Sequence, residues 1–353
     1  MKNNKIVPVF FASDKNYVPY LTVAIKSLGE KTTEKNEYRI YILTNDVKDE
    51  DIKEIKSYQK ENVKVEIVDV NEKIEVIKNK VALRDYYSVS IYFRLFIPSM
   101  FPEYDKAIYL DSDIVLNSDI ADLYNVDIGN NYVGAVLDET VFTNKDFIYY
   151  VREALDVTEK QYFNSGVLIM NLKKFRDNEI EEDFYSWVNN YSTKFGSVAP
   201  DQDYLNCICK NKVKYLPLGW NKMPLGSTLE DKNLFLIHYN MFFKPWKYEN
   251  TMFEEYFWKH AEQTSFYGFI KNQQQTYGED RKSNDKLALE NLLKVAINIA
   301  NSGNNYKTLV LKKGKFAKQP SFIEQMEMDL EEFFAEEPVL EPIAISAIKK
   351  NHR

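Results

Sequence analysis

Short apolar runs alternate with amphipathic stretches through the first half of the chain, and no other feature restricts the fold as tightly. Residues 5–11, 38–43 and 63–68 are apolar, rich in β-branched and aromatic residues, and short, so they predict strands. Residues 17–28 place Tyr20, Leu21, Ala24, Ile25 and Leu28 on one helical face, and residues 49–60 predict a second helix. Beyond these, 106–110 and 132–137 predict strands, whereas 88–97 predicts a buried helix that stops at Pro98. Residues 163–172 and 235–239 add strand-like segments, and 179–191 and 201–210 add helices. Strand–helix–strand order of this kind is satisfied by a mostly parallel sheet with helices on both faces, a Rossmann-like α/β fold.

One strand ends in acid. Ala107-Ile108-Tyr109-Leu110 runs into Asp111-Ser112-Asp113. Side chains two apart in extended chain point the same way, so Asp111 and Asp113 can grip one cation. The carboxyl ends of strands are where open α/β sheets bind ligands, and a hard divalent ion there can neutralise a diphosphate. Alone, the pair carries little weight: with 53 acidic residues in 353, acids two apart recur by chance, and a solvated turn explains them equally well.

Order and spacing supply the context. AIYLDSDIVLNSDI (107–120) is preceded by FFASDKNY (10–17) and SIYFRL (90–95). It is followed by YFNSGVLIMNLKKF (162–175), PDQDYLN (200–206) and HYNMFFKPW (238–246). Together these six segments resemble glycosyltransferase family 8, the retaining enzymes that include bacterial lipopolysaccharide galactosyltransferases and glycogenin. The resemblance covers residues 5–246 and implies a GT-A fold, a UDP-sugar donor and a bound cation.

It also implies roles residue by residue. Asp111, Asp113 and His238 would hold the metal, and two carboxylates with an imidazole suit Mn²⁺ better than Mg²⁺, though Mg²⁺ is an alternative. Ala12, Asp14, Asn16, Tyr17 and Ser112 would meet the nucleotide, with Tyr17 stacked on uracil and Lys244 set against the diphosphate. On local grounds Asp14 or Asn16 serves equally well as a helix cap. Arg94, Asn164, Asp201 and Gln202 would surround the transferred sugar, with Gln202 beside the anomeric carbon and Asp138 a further acid on that side. A buried ion pair of Arg94 with Asp111 or Asp201 is the plainer explanation of a charge in so apolar a segment. The chain departs from the family at Met241, where glycine is common. Glycine lets backbone approach phosphate closely, so phosphate contacts here should differ.

The implied reaction moves glucose or galactose from UDP-glucose or UDP-galactose to a hydroxyl of a glycan, glycolipid or glycoprotein, with retention. A nucleotidyltransferase and a non-catalytic sugar-nucleotide sensor are the rivals. The first lacks its Gly-rich phosphate loop after the first strand, and the second has no need of Asp111, Asp113, His238, Lys244 and Gln202 together. A net charge of −7 argues against nucleic acid as a partner. Two cysteines, Cys207 and Cys209, cannot build a disulfide framework and read as buried free thiols of a cytoplasmic protein. No apolar run is long enough for a signal peptide or a transmembrane helix, leaving at most peripheral contact with the inner membrane face.

Residues 1–265 are expected to form the catalytic domain and 266–353 a helical extension. In the extension, 271–285 is polar and Gln-rich, 286–300 is an amphipathic helix, and 321–335 is an acidic helix that follows Pro320. Two helices cannot bury a core alone, so the extension should dock on the catalytic domain or on a partner and serve acceptor binding or homo-oligomer formation.

Overall fold

The computed structural model describes residues 5–77, 89–191, 197–242 and 244–308. The acidic helix expected at 321–335 lies outside them, as does Phe243. The described residues belong to one compact unit, Met1–Thr308.

Nine strands form in chain order: β1 (Lys5–Ala12), β2 (Asn36–Thr44), β3 (Val63–Asp69), β4 (Ala107–Leu110), β5 (Ile114–Leu116), β6 (Val133–Leu137), β7 (Phe163–Met170), β8 (Val213–Tyr215) and β9 (Leu236–His238). Seven of them make one sheet in the order β3-β2-β1-β4-β7-β6-β8. Pairing is parallel from β3 to β4 and between β6 and β8, while β7 runs antiparallel to both its neighbours. The fold is therefore the mostly parallel α/β sheet expected. Every residue of β7 is buried, as in a strand covered on both faces, and its sequence is apolar from Val167 to Met170 while Asn164 and Ser165 bring polar groups to its start.

The reversal of β7 matters for the site. Its first residues, not its last, lie beside the carboxyl end of β4, and the Asp111 N–H donates to the Gly166 carbonyl at 2.7 Å. A register irregularity between Ala135 and Leu137 bends β6 just before Asp138. β5 and β9 form a separate antiparallel pair, with Ile114 opposite His238.

Helix Val18–Lys31 separates two cores. Leu21, Ala24, Ile25 and Leu28 pack on the sheet, whereas Tyr20 and Val23 join Val115, Ile237, Trp246, Phe257 and Ile270. Tyr20 stacks on Trp246 with ring centroids 3.9 Å apart, which fixes the end of the HYNMFFKPW segment. Cys207 and Cys209 are buried free thiols, as expected.

One element differs from expectation, and one stretch that carried no assignment takes a definite structure. Residues 88–97 do not end at Pro98: a 3₁₀ helix, Val89–Phe96, leads into the turn Ile97–Met100, and Pro98 sits in that turn's first positions, where its missing N–H costs nothing. The tighter winding goes with Arg94, whose Nε takes the Ile91 carbonyl at 3.0 Å. The polar stretch 271–285 is largely helical, in Tyr267–Gln275 and the start of Glu279–Asn301. Polar anchors hold it there: Gln274 donates to the carbonyls of Pro245 and Tyr248, and Asp285 accepts from the hydroxyls of Tyr248 and Tyr277. A pattern based on apolar spacing is blind to such anchors.

Candidate active site

All fourteen residues expected at the site line one cavity of about 570 Å³ at the carboxyl edge of the sheet. Its volume falls within the range of small-molecule sites.

The acidic pair and His238 come together although more than a hundred residues separate them. One ligand atom from each of Asp111, Asp113 and His238 lies within 4.8 Å of the others. Asn221 donates through Nδ2 to Asn164 Oδ1, so its Oδ1 faces His238 Nδ1 at 2.9 Å and accepts the proton there. That leaves Nε2 presenting its lone pair to Asp113 Oδ1 at 3.2 Å and Asp111 Oδ2 at 3.7 Å. Three acceptors aimed at one point repel unless a positive charge lies between them. The donor set thus fits a divalent cation, with Asn221 fixing the imidazole as second-sphere partners of metal-bound histidines do. Gly166 makes the space: a Cβ on it would lie 2.4 Å from His238 Cε1 and 2.5 Å from Asp111 Oδ2.

Lys244 sits on the other side of Asp113. Its buried ammonium bonds Asp113 Oδ2 and the Tyr239 carbonyl. Burial alone would raise the Asp113 carboxyl, but the Lys244 ammonium outweighs it and holds the group well below the usual carboxylate range. Met241 lines the same cavity with φ at +55°. The backbone there keeps the left-handed conformation that glycine would favour, now carrying a side chain.

Among the residues expected to meet the nucleotide, Asp14 Oδ1 accepts from the N–H groups of Asn16 and Tyr17, so its local role is to shape the turn. Asn16 is exposed and Tyr17 half-buried. The Ser112 hydroxyl donates to the Ala12 carbonyl at 2.8 Å, tying the acidic loop to the end of β1.

Around the residues expected to meet the sugar, the amides and acids form a closed network. Gln202 Nε2 donates to Asp138 Oδ2 at 3.0 Å and to the Tyr162 hydroxyl at 3.2 Å, and Oε1 accepts from the Ser165 N–H at 2.9 Å. Asp138 accepts from Asn164 Nδ2 and caps helix Glu139–Thr143 through the N–H groups of Thr140 and Val141. Arg94 bridges two acids, Asp111 Oδ1 at 2.9 Å and Asp201 Oδ2 at 3.4 Å, over the face of Tyr109. Both partners considered for its ion pair are therefore engaged.

Several contributors escape a reading of the sequence. Asp203 is buried and accepts from the hydroxyls of Tyr150, Tyr162 and Ser197 and from the N–H groups of Val198 and Ala199. Burial pushes its carboxyl upward against those donors. Asn221 lies in a segment with no pattern to mark it. Gly166 did carry a signal, since a glycine inside an apolar strand marks close approach of other groups.

Comparison with known proteins agrees with this geometry. The family model described as glycosyl transferase family 8 matches residues 8–250. The chain belongs to glycosyltransferase family 8. It is 33% identical over 231 residues to a Haemophilus influenzae protein that bears a glycosyltransferase name, covering 65% of this chain and 67% of that one. It is 26% identical over 254 residues to an Escherichia coli lipopolysaccharide 1,2-glucosyltransferase, covering 67% of this chain and 72% of that one. Among solved structures, the bifunctional glycosyltransferase WbbM superposes with a TM-score of 0.65 at 26% identity, over 77% of this chain and about half (52%) of that one. The galactosyltransferase LgtC, solved with donor and acceptor sugar analogues, superposes at 0.58 and 25% identity over 74% of this chain and 99% of that one. The fold is GT-A-like. No helix among the described residues is long and apolar enough to cross a membrane.

Proposed function

We propose that this family 8 member is a metal-dependent retaining hexosyltransferase that moves glucose or galactose from a UDP-sugar to a hydroxyl of a glycan, glycolipid or glycoprotein. The observation that carries the reading is the arrangement of Asp111, Asp113 and the Nε2 lone pair of His238, three acceptors converging in a cavity that Asp138, Asn164, Asp201 and Gln202 also line. Residues 1–265 would hold donor and cation, and 266–353 form the extension.

A divalent ion, with Mn²⁺ favoured by the mixed oxygen and nitrogen donors, would supply Lewis-acid neutralisation of the departing diphosphate. Lys244, held by Asp113 and Tyr239, adds a fixed positive charge beside it. Ala12, Asp14, Asn16, Tyr17 and Ser112 bound the nucleotide end, and Arg94, Asp138, Asn164 and Asp201 orient the hexose. Retention without inversion calls either for a protein nucleophile or for attack on the face the leaving group vacates. The Gln202 amide is bonded at both ends, Asp138 has both oxygens engaged, and Asp201 is paired with Arg94. None is a free carboxylate poised to attack, which supports front-face transfer in which the departing phosphate oxygen receives the acceptor's proton.

UDP release from UDP-glucose and UDP-galactose, with and without Mn²⁺ and acceptor, tests the reading. Asp111→Ala, Asp113→Ala and His238→Ala should each abolish transfer. Full activity in excess chelator, or preference for a GDP- or CMP-sugar, would refute it.

A further inference from the structure

The cavity extends past Asp138 and Gln202 into a region of different chemistry. Val141 follows from the helix that Asp138 caps, and Phe147 and Val151 project from the next helix, Lys145–Ala154. Leu292 completes the wall from helix Glu279–Asn301. All four are buried yet line the cavity. The family match stops at residue 250, ahead of the helix bearing Leu292.

That helix is fastened near both ends to segments that themselves contribute to the cavity lining, the one bearing Lys247 and helix Lys145–Ala154. Near its start, Asp285 accepts from the Tyr248 hydroxyl at 2.9 Å and faces Lys247 at 3.5 Å, beside Lys244 at the phosphate end. At its close, Asn301 Oδ1 accepts from the Tyr149 hydroxyl at 2.7 Å on helix Lys145–Ala154. At 1.5 Å per residue the span from Asp285 to Asn301 is about 24 Å, with Leu292 between the two fastenings.

Resting on the hexosyltransferase reading, we infer that helix Glu279–Asn301 straps across the acceptor end of the cavity. There Leu292, with Val141, Phe147 and Val151, forms an apolar subsite for a hydrophobic group carried next to the accepting hydroxyl. The acceptor oxygen must reach the anomeric carbon beside Gln202, so the part of the cavity beyond the sugar network belongs to the acceptor. Charged or hydroxyl-rich surfaces find few partners on this wall. An aryl or alkyl group desolvates it favourably, at about 25 cal/mol per Å² buried.

The test uses the full-length protein saturated with UDP and Mn²⁺, titrated with 4-nitrophenyl and methyl β-galactopyranoside. The 4-nitrophenyl glycoside should bind at least tenfold more tightly, and Leu292→Gln should cut that ratio below threefold while Leu292→Met preserves it. Contacts from the aryl protons to isotopically labelled Leu292 methyl groups, read by NMR on the parent, locate the group without relying on any variant. Equal affinities for the two glycosides, a ratio unchanged in Leu292→Gln, or absence of those contacts overturns the inference. Failure of UDP itself to bind would end the hexosyltransferase reading as well. UDP binding without an aryl preference ends this inference alone.

Discussion

Gly166→Ala tests the cation site with a single methyl group. The added Cβ would stand 2.4 Å from His238 Cε1 and 2.5 Å from Asp111 Oδ2, whereas non-bonded heavy atoms settle at about 3.5 Å. Gly166 cannot retreat, because its carbonyl receives the Asp111 N–H at 2.7 Å within a fully buried strand. Both ligands must therefore give way by roughly 1 Å in total separation, several times the ~0.2 Å tolerance of a metal–ligand bond. Outer-sphere changes alone typically cost 10- to 100-fold in metal affinity. Direct displacement of two ligands should reach at least the upper figure, about 2.7 kcal/mol. Mn²⁺ binding in the presence of UDP, followed by calorimetry or electron paramagnetic resonance, reads the effect. Thermal denaturation in chelator shows whether the fold survives. A folded Gly166→Ala protein that binds Mn²⁺ within twofold of the parent would refute the placement of the site.

Lys244→Met leaves Asp113 buried without its ammonium, so the carboxyl, depressed in the parent, should move up. In the parent the ionised form contributes stability above the unfolded value of about 3.9 and loses it only as pH falls through the lower folded value. Mn²⁺ affinity of Lys244→Met should accordingly fall more steeply from pH 7 to pH 5 than the parent's, and superimposable profiles would contradict this. Met241→Gly removes a left-handed non-glycine residue worth roughly 1 kcal/mol, offset in part by glycine's chain entropy. A net gain of about 0.5 kcal/mol should raise Tm by about 1 °C, and a lowered Tm counts against strain at that residue. Asp203→Ala removes the acceptor shared by five donors, most of them buried, and should cost about 3 kcal/mol, a Tm fall of roughly 6 °C in a thermal melt. A Tm within 1 °C of the parent would mean those donors find other partners.

Most of the framework was legible because apolar spacing reports burial directly. β1 to β4 lie within two residues of their expected bounds, and the helix between β1 and β2 buries the face that its spacing marks. What misled was proline, and a polar stretch gave no signal either way. Pro98 opens a turn rather than closing a helix, since a residue without an N–H suits either boundary. The Gln-rich stretch is helical because Gln274 and Asp285 are anchored by partners distant in sequence. At the site, the acidic pair and His238 could be named from motifs. The carbonyl of Asn221 that sets the imidazole tautomer could not, for a single asparagine in a loop has no periodicity to betray it. The geometry at Met241 was half legible: its departure from glycine was visible in the sequence, but its left-handed backbone was not.

The pairing of β5 with β9 has a consequence for how the molecule comes into being. Asp113 precedes Ile114, and Ile114 lies opposite His238, so the residues proposed to hold a cation become neighbours when a strand from late in the chain closes against one from the first third. A growing polypeptide released as far as Leu116 already carries both acids but has nowhere to put an ion. It acquires that place only once Leu236–His238 has emerged and zipped into register. Ion capture is in that sense a receipt for completed assembly. Metal in the growth medium should then speed no early step of folding, yet should protect the finished molecule from opening at this seam.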